Sequence, residues 1–278
     1  MAYIGEINTL KVLRRADHGL YLEGEGGNDI LLPNKYVPEG TKITDEIDVF
    51  VYRDSEDRII ATNLTPKAMV GDFAVLEVVA TTKFGAFLDW GLEKDLFVPF
   101  KEQKIKMVEG RYYVVAVYLD ESTDRVVASA KIGKFLSDEL PEFSTNEEVS
   151  VLVYASNEIG YNCIINNSFI GIIYKDQVFD KPLKPGQRIT AFATYVREDG
   201  KTDLSLLRPG YEKVDSISKA ILDEINECGG YIPVSDKSPP EIIYSRFGIS
   251  KKNFKKAIGT LYKQKLIEIE KMGIKIKN

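Results

Sequence analysis

Over the first 209 residues the apolar positions fall in short runs rich in Val, Ile, Phe and Tyr, separated by turns of Gly, Pro, Asn and Asp. INTLKVLR, IDVFVYR, RIIATNL, FAVLEVVA, YYVVAVYL, RVVASAK, VSVLVYA and ITAFATYV are of this kind, and such bounded β-branched and aromatic runs predict strands. From residue 210 the period lengthens. Val214, Ile217, Ile221, Leu222 and Ile225 share one stripe at helical spacing, which Gly229 and Gly230 stop after Cys228. A second helix is expected from near Ser238, with Pro239 and Pro240 at its start, to Phe247 before Gly248. Ser250 then caps a third, whose apolar positions Phe254, Ala257, Ile258, Leu261 and Tyr262 follow i, i+3, i+4, i+7 and i+8. The tail LIEIEKMGIKIK alternates like a hairpin turning at Met272 and Gly273, so three helices and a hairpin predict a winged helix.

The strand-rich part repeats itself three times. With ADHGLYLEG, KFGAFLDWG and EIGYNCIIN anchored on Gly19, Gly85 and Gly160, an apolar strand ends thirteen residues later at Leu32, Val98 and Ile173. A hairpin turn follows, RDSEDR, DESTDR or REDGKTD, with Asp57, Asp124 and Asp199 lying 38, 39 and 39 residues past the glycine. About five short strands per repeat is the pattern of a small barrel of the OB type. The expected fold is mainly β with a C-terminal α+β domain: barrels over 1–66, 67–139 and 140–209, then a winged helix over 210–278.

The middle repeat contains TTKFGAFLDWG, in which Phe84 and Phe87 stand three apart and should face opposite sides of a regular strand. A bulge at Gly85 would bring both rings to one face. Two rings there make either a packed contact, in the core or between neighbouring barrels, or a stacking platform for unpaired bases with Lys83, Arg125 and Lys131 near phosphates. Trp90 is expected to pack at the rim.

Composition narrows the chemistry. No apolar run approaches the roughly 20 residues that cross a bilayer, and the start MAYIGEINTLKV lacks the pattern of a secretion signal, so no membrane partner is expected and a cytoplasmic location is. The one histidine, His18, falls in a predicted turn, and no GxxxxGK[ST], GxGxxG or HExxH occurs. No catalytic residue, metal site or cofactor is therefore expected, nor an enzyme. Cys163 and Cys228 read as buried thiols. Residues 211–278 carry 13 Lys plus Arg against 9 Asp plus Glu, a net of +4 within a chain of −5, so residues 1–210 carry −9. Lys252, Lys256 and Lys263 fall within about 40° of one another on the third helix, opposite Phe254. That face is either a phosphate contact surface or a solvated side of a protein-binding domain.

KFGAFLDWG, then DLFVP, then RVVASAK resembles the S1-type RNA-binding domain, with Phe84, Phe87, Arg125, Ser129 and Lys131 on its signature positions. The histidine that many S1 domains carry in the third strand is replaced by Val98. The resemblance implies that the two phenylalanines face RNA. Three such barrels before SDKSPPEII and FGISKKNFKKAIGTLYKQ resemble the bacterial conserved virulence factor B family, which implies RNA-binding regulation without enzymatic activity. The expected partner is single-stranded RNA. An adaptor for ribosomal, polymerase or nuclease proteins is the alternative, and DNA-binding regulation ranks lower because arginine, the commonest reader of guanine edges, is absent from the third helix.

Overall fold

The computed structural model describes residues 2–178, 181–206 and 212–277; the side chain of Val214 and the boundary expected at 209 and 210 lie outside them. The chain forms two compact units, Met1–Leu136 and Ser137–Asn278. In the first unit, β1 (Ile7–Ala16), β2 (Gly19–Leu22), β3 (Ile30–Pro33), β4 (Glu46–Arg53) and β5 (Ile59–Thr62) close a barrel in the order β1-β2-β3-β5-β4. A second barrel of the same order is closed by β6 (Phe73–Thr81), β7 (Gly85–Asp89), β8 (Leu96–Pro99), β9 (Tyr112–Asp120) and β10 (Arg125–Ser129). The second unit holds the third barrel, β11 (Glu147–Ser156), β12 (Gly160–Ile165), β13 (Phe169–Tyr174), β14 (Arg188–Val196) and β15 (Thr202–Ser205).

The thirteen-residue spacing has a backbone cause. A Cβ on Gly19, Gly85 or Gly160 would stand 2.0, 2.2 or 2.4 Å from the carbonyl oxygen of Leu32, Val98 or Ile173, so only glycine lets the second and third strands of each barrel meet. Pairing also slips at the same rung of each first strand: between Val12 and Arg14, Val78 and Ala80, and Val153 and Ala155. The bulge in the middle repeat is therefore in β6 and not at Gly85, which pairs regularly with Pro99. In the hairpin turns, Asp57 and Asp124 adopt positive φ (64° and 49°), whereas the third repeat uses Gly200 (78°). Asp199 thus precedes by one residue the left-handed position that Asp57 and Asp124 occupy in their turns.

The winged-helix part comprises α1 (Glu212–Glu227), β16 (Tyr231–Ile232), α2 (Pro240–Phe247), α3 (Lys251–Lys263), β17 (Ile267–Ile269) and β18 (Ile274–Ile276), with sheet order β16-β18-β17. Ser250 Oγ accepts the Asn253 N–H at 3.3 Å to cap α3, and Gly248, at φ 64°, ends α2 in the left-handed region. Ile217, Ile221 and Ile225 pack with Phe254, Ile258 and Leu261 in one buried cluster. Tyr262, expected on the same stripe, is instead 57% exposed, because it lies at the edge of the apolar arc. Cys163 is buried, whereas Cys228, just past the end of α1, is exposed, which corrects its reading as a buried thiol. No helix among the described residues is long and apolar enough to cross a membrane.

Candidate nucleic-acid interface

In the middle barrel, Phe84 precedes β7, so strand alternation does not constrain it; it is 68% exposed, with the Lys83 ammonium 5.0 Å from its ring centre. Phe87, within β7, is half-buried and packs on Phe97 of β8, ring centres 5.1 Å apart. All three rings line one groove of about 580 Å³. The groove brings together Phe84, Phe87 and Arg125 of the sequence-predicted set, and Lys83 joins them through the ring it covers.

Lys131 does not line it. Its backbone N–H donates to Ser129 Oγ at 3.0 Å, and the buried Ser129 hydroxyl donates to Glu102 at 2.7 Å. Lys134 pairs with the same carboxylate at 3.1 Å. Burial pushes the Glu102 carboxyl up, but the Ser129 and Lys134 hydrogen bonds outweigh it and hold the group below its ordinary range. Ser129 thus holds the end of β10 in place.

Phe97 escaped sequence reasoning because DLFVP was read only for its apolar strand end at Val98. Val98 is fully buried, so the outward position opposite Phe87 belongs to Phe97. Pairing of Gly85 with Pro99, one residue past the repeat spacing, sets Phe97 opposite Phe87. The same register puts His18 and Ile159 in the position of Phe84, and Tyr21 and Asn162 in that of Phe87. In the first barrel Tyr21 is covered by the Arg14 guanidinium, 3.7 Å from the ring centre.

The first barrel also supplies part of the groove, through Tyr52, Arg53 and Ser55. Trp90 is not at a rim: it is buried, its rings sit edge-on to Phe50 and Tyr52 at 5.6 and 6.5 Å, and its Nε1–H donates to Lys94 O at 2.6 Å. This apolar seam is continuous with the core of the second barrel. Polar links cross beside it. Lys94 Nζ donates to the carbonyls of Arg53 and Asp54 at 3.0 and 2.7 Å, and burial pulls its pKa below the ordinary lysine value. Arg53 donates to Asp124 O at 3.1 Å and pairs with its carboxylate at 3.3 Å. Arg125 in turn grips both oxygens of Asp57, Nε to Oδ1 at 2.8 Å; the hydrogen bond lowers the Asp57 pKa and raises that of Arg125. Arg125, expected as a free phosphate contact, is therefore engaged by a carboxylate.

On α3, Lys252, Lys256 and Lys263 are exposed, as is Lys255, and none forms an ion pair with a described residue. Phe254, Ala257, Ile258 and Leu261 on the opposite side are buried.

Residues 4–64 match a family model described as an S1 domain, and residues 219–276 match one described as a CvfB-like winged helix domain. The S1 match thus falls on the first repeat, where the signature residues are sparser than in the second. The chain is 30% identical over 266 residues to the uncharacterized protein YitL of Bacillus subtilis (strain 168), spanning 93% of this chain and 89% of that one. It is 26% identical over 276 residues to conserved virulence factor B of Staphylococcus epidermidis (strain ATCC 12228), spanning 96% and 92%. Among solved structures, a multidomain protein with nucleic acid binding domains from Streptococcus pneumoniae TIGR4 aligns over 99% of this chain and 98% of that one, at 23% identity and a TM-score of 0.43.

Proposed function

From the premise that this chain belongs to the conserved virulence factor B family, we propose that it is an RNA-binding regulatory protein, with unpaired bases stacked on the second barrel and phosphates met by the winged helix. The observation that carries this reading is Phe84, a large ring left open to solvent at the mouth of a groove floored by Phe87 and Phe97. Any base offers a π-face to such rings, so recognition tolerates sequence and prefers single strands, whose bases are free to splay. The Lys83 ammonium, 5.0 Å from the Phe84 ring centre, supports a phosphate contact beside a base stacked on that ring. The exposed lysines of α3 add attraction that does not depend on sequence.

The test uses the full chain and a fluorescein-labelled single-stranded RNA in anisotropy titrations across a salt series. Changing Lys252, Lys256 and Lys263 together to Gln is expected to lower affinity for unrelated RNA sequences. It also flattens the slope of log affinity against log salt by about two, at roughly 0.7 per phosphate contact. Unchanged affinity and slope would remove α3 from the interface. Failure of the parent chain to bind any single-stranded RNA would overturn the reading as a whole and favour the adaptor alternative.

A further inference from the structure

The groove beside Phe84 is not a feature of one barrel. Its aromatic floor comes from the second barrel, while Tyr52, Arg53 and Ser55 of the first form an opposing wall. At about 580 Å³ it has the size of a small-ligand site, which runs from roughly 300 to 1,000 Å³. Its two guanidinium groups are both occupied by aspartates from the other barrel's β-hairpin turn. We propose that this cleft holds a single unpaired nucleotide, its base against Phe87 and Phe97 and its phosphate on Arg125, and that the Asp57 carboxylate fills the phosphate's place until the nucleotide arrives. The inference rests on the RNA-binding reading above and assigns the first barrel a part in it.

The chemistry fits Arg125. A guanidinium fork holding two oxygens of a carboxylate presents the same pair of N–H donors that would hold two oxygens of a phosphate. The Asp57–Arg125 pair is about half exposed on both sides, so water screens it and little is lost when it opens. Arg53 is held differently. Its side chain is more buried, and it donates to two backbone carbonyls, Asp57 O at 2.7 Å and Asp124 O at 3.1 Å, besides the Asp124 carboxylate. Arg53 therefore keeps both turns in place whether or not the Asp57 carboxylate is engaged. Lys94 and the Trp90 seam hold the two barrels together independently of Arg125. Exchange of one carboxylate for one phosphate can then proceed without dismantling the cleft.

The test is a double-mutant cycle on the full chain, with anisotropy of a labelled eight-nucleotide single-stranded RNA as readout. Asp57 sits at positive φ, a conformation that asparagine adopts readily, so Asp57→Asn removes the charge and keeps the turn. It is expected to tighten binding about three- to ten-fold in the parent and to have no effect once Arg125 is Gln. Arg125→Lys, which keeps the charge and loses the fork, should shrink the Asp57 effect and serves where the Gln variant does not fold. Equal tightening by Asp57→Asn with or without Arg125 would mean a general charge effect and overturn the proposal, as would no tightening in the parent. Either result leaves RNA binding itself standing, whereas a parent chain that binds no RNA removes both. Adenosine monophosphate as competitor separates the two sources of such a nucleotide. Displacement at millimolar concentration places a free nucleotide in the cleft; failure to displace places one within a strand.

Discussion

Phe84 and Phe87 look alike in sequence, and the structure separates their energetics. Phe84 is 68% exposed, so about a third of its surface is covered. Taking an aromatic side chain as burying about 200 Å² when fully enclosed, that is about 65 Å², or about 1.6 kcal/mol at 25 cal/mol per Å², an upper bound because the unfolded chain also covers part of the ring. Phe87 is mostly covered and packs at a tilt on Phe97, so its truncation should cost most of the roughly 3–5 kcal/mol typical of a core phenylalanine, the ring pair included. Binding should show the reverse emphasis. Loss of one stacking ring costs about 1–3 kcal/mol, which is roughly 5- to 150-fold in Kd. Phe84→Ala is thus expected to weaken single-stranded RNA binding with a small change in urea midpoint, and Phe87→Ala to weaken binding and lower the midpoint clearly. The assay is a urea melt and an anisotropy titration on each variant. If Phe84→Ala destabilised as much as Phe87→Ala while its folded fraction bound RNA like the parent, the exposed ring would be a packing residue and the platform would be refuted.

Gly85→Ala should cost about 2–4 kcal/mol in a denaturant melt, because its Cβ would meet Val98 O at 2.2 Å and the Phe97 ring at 2.7 Å; Gly133→Ala, with nothing within 4 Å, should be close to neutral. Equal effects would mean that the β7–β8 approach is not what requires glycine. Burial pushes the Cys163 thiol up to about 12, so in the folded protein a thiol reagent at pH 8 should titrate one cysteine, the exposed Cys228, and the second only in denaturant. Raising the pH to 9 should still leave Cys163 silent, since that pH is below its folded pKa; two fast equivalents would show that the third barrel opens.

The features legible in the sequence were those imposed by the backbone. The glycine-to-strand spacing was readable because a carbonyl occupies the Cβ position in all three barrels, and the α3 cap because Ser250 has a local partner. What escaped depended on phase or on distant partners. The three-residue separation of Phe84 and Phe87 suggested a bulge at Gly85, yet Phe84 lies outside the strand, and the bulge is across the ladder in β6. Val98 marked the end of the repeat's apolar strand, but the outward ring belongs to its neighbour Phe97, since in a period of two one step exchanges inside and outside. Nothing near Arg125 in sequence announces Asp57, 68 residues away. β16, two residues long, is too short to display any period.

The residue just before the obligatory glycine carries a further consequence. His18, Phe84 and Ile159 all stand there, all exposed, with the next residue anchored by the backbone whatever its predecessor is. Selection can therefore change the chemistry at this position with little penalty in folding, and can do so in each copy separately. Triplication of the barrel thus gave the chain three independently adjustable surface positions on a common frame, an aromatic ring in one copy, an imidazole in another and an aliphatic side chain in the third. In such a chain, differences in ligand preference among descendants would be concentrated at residues 18, 84 and 159, while the glycines that follow them stay unchanged.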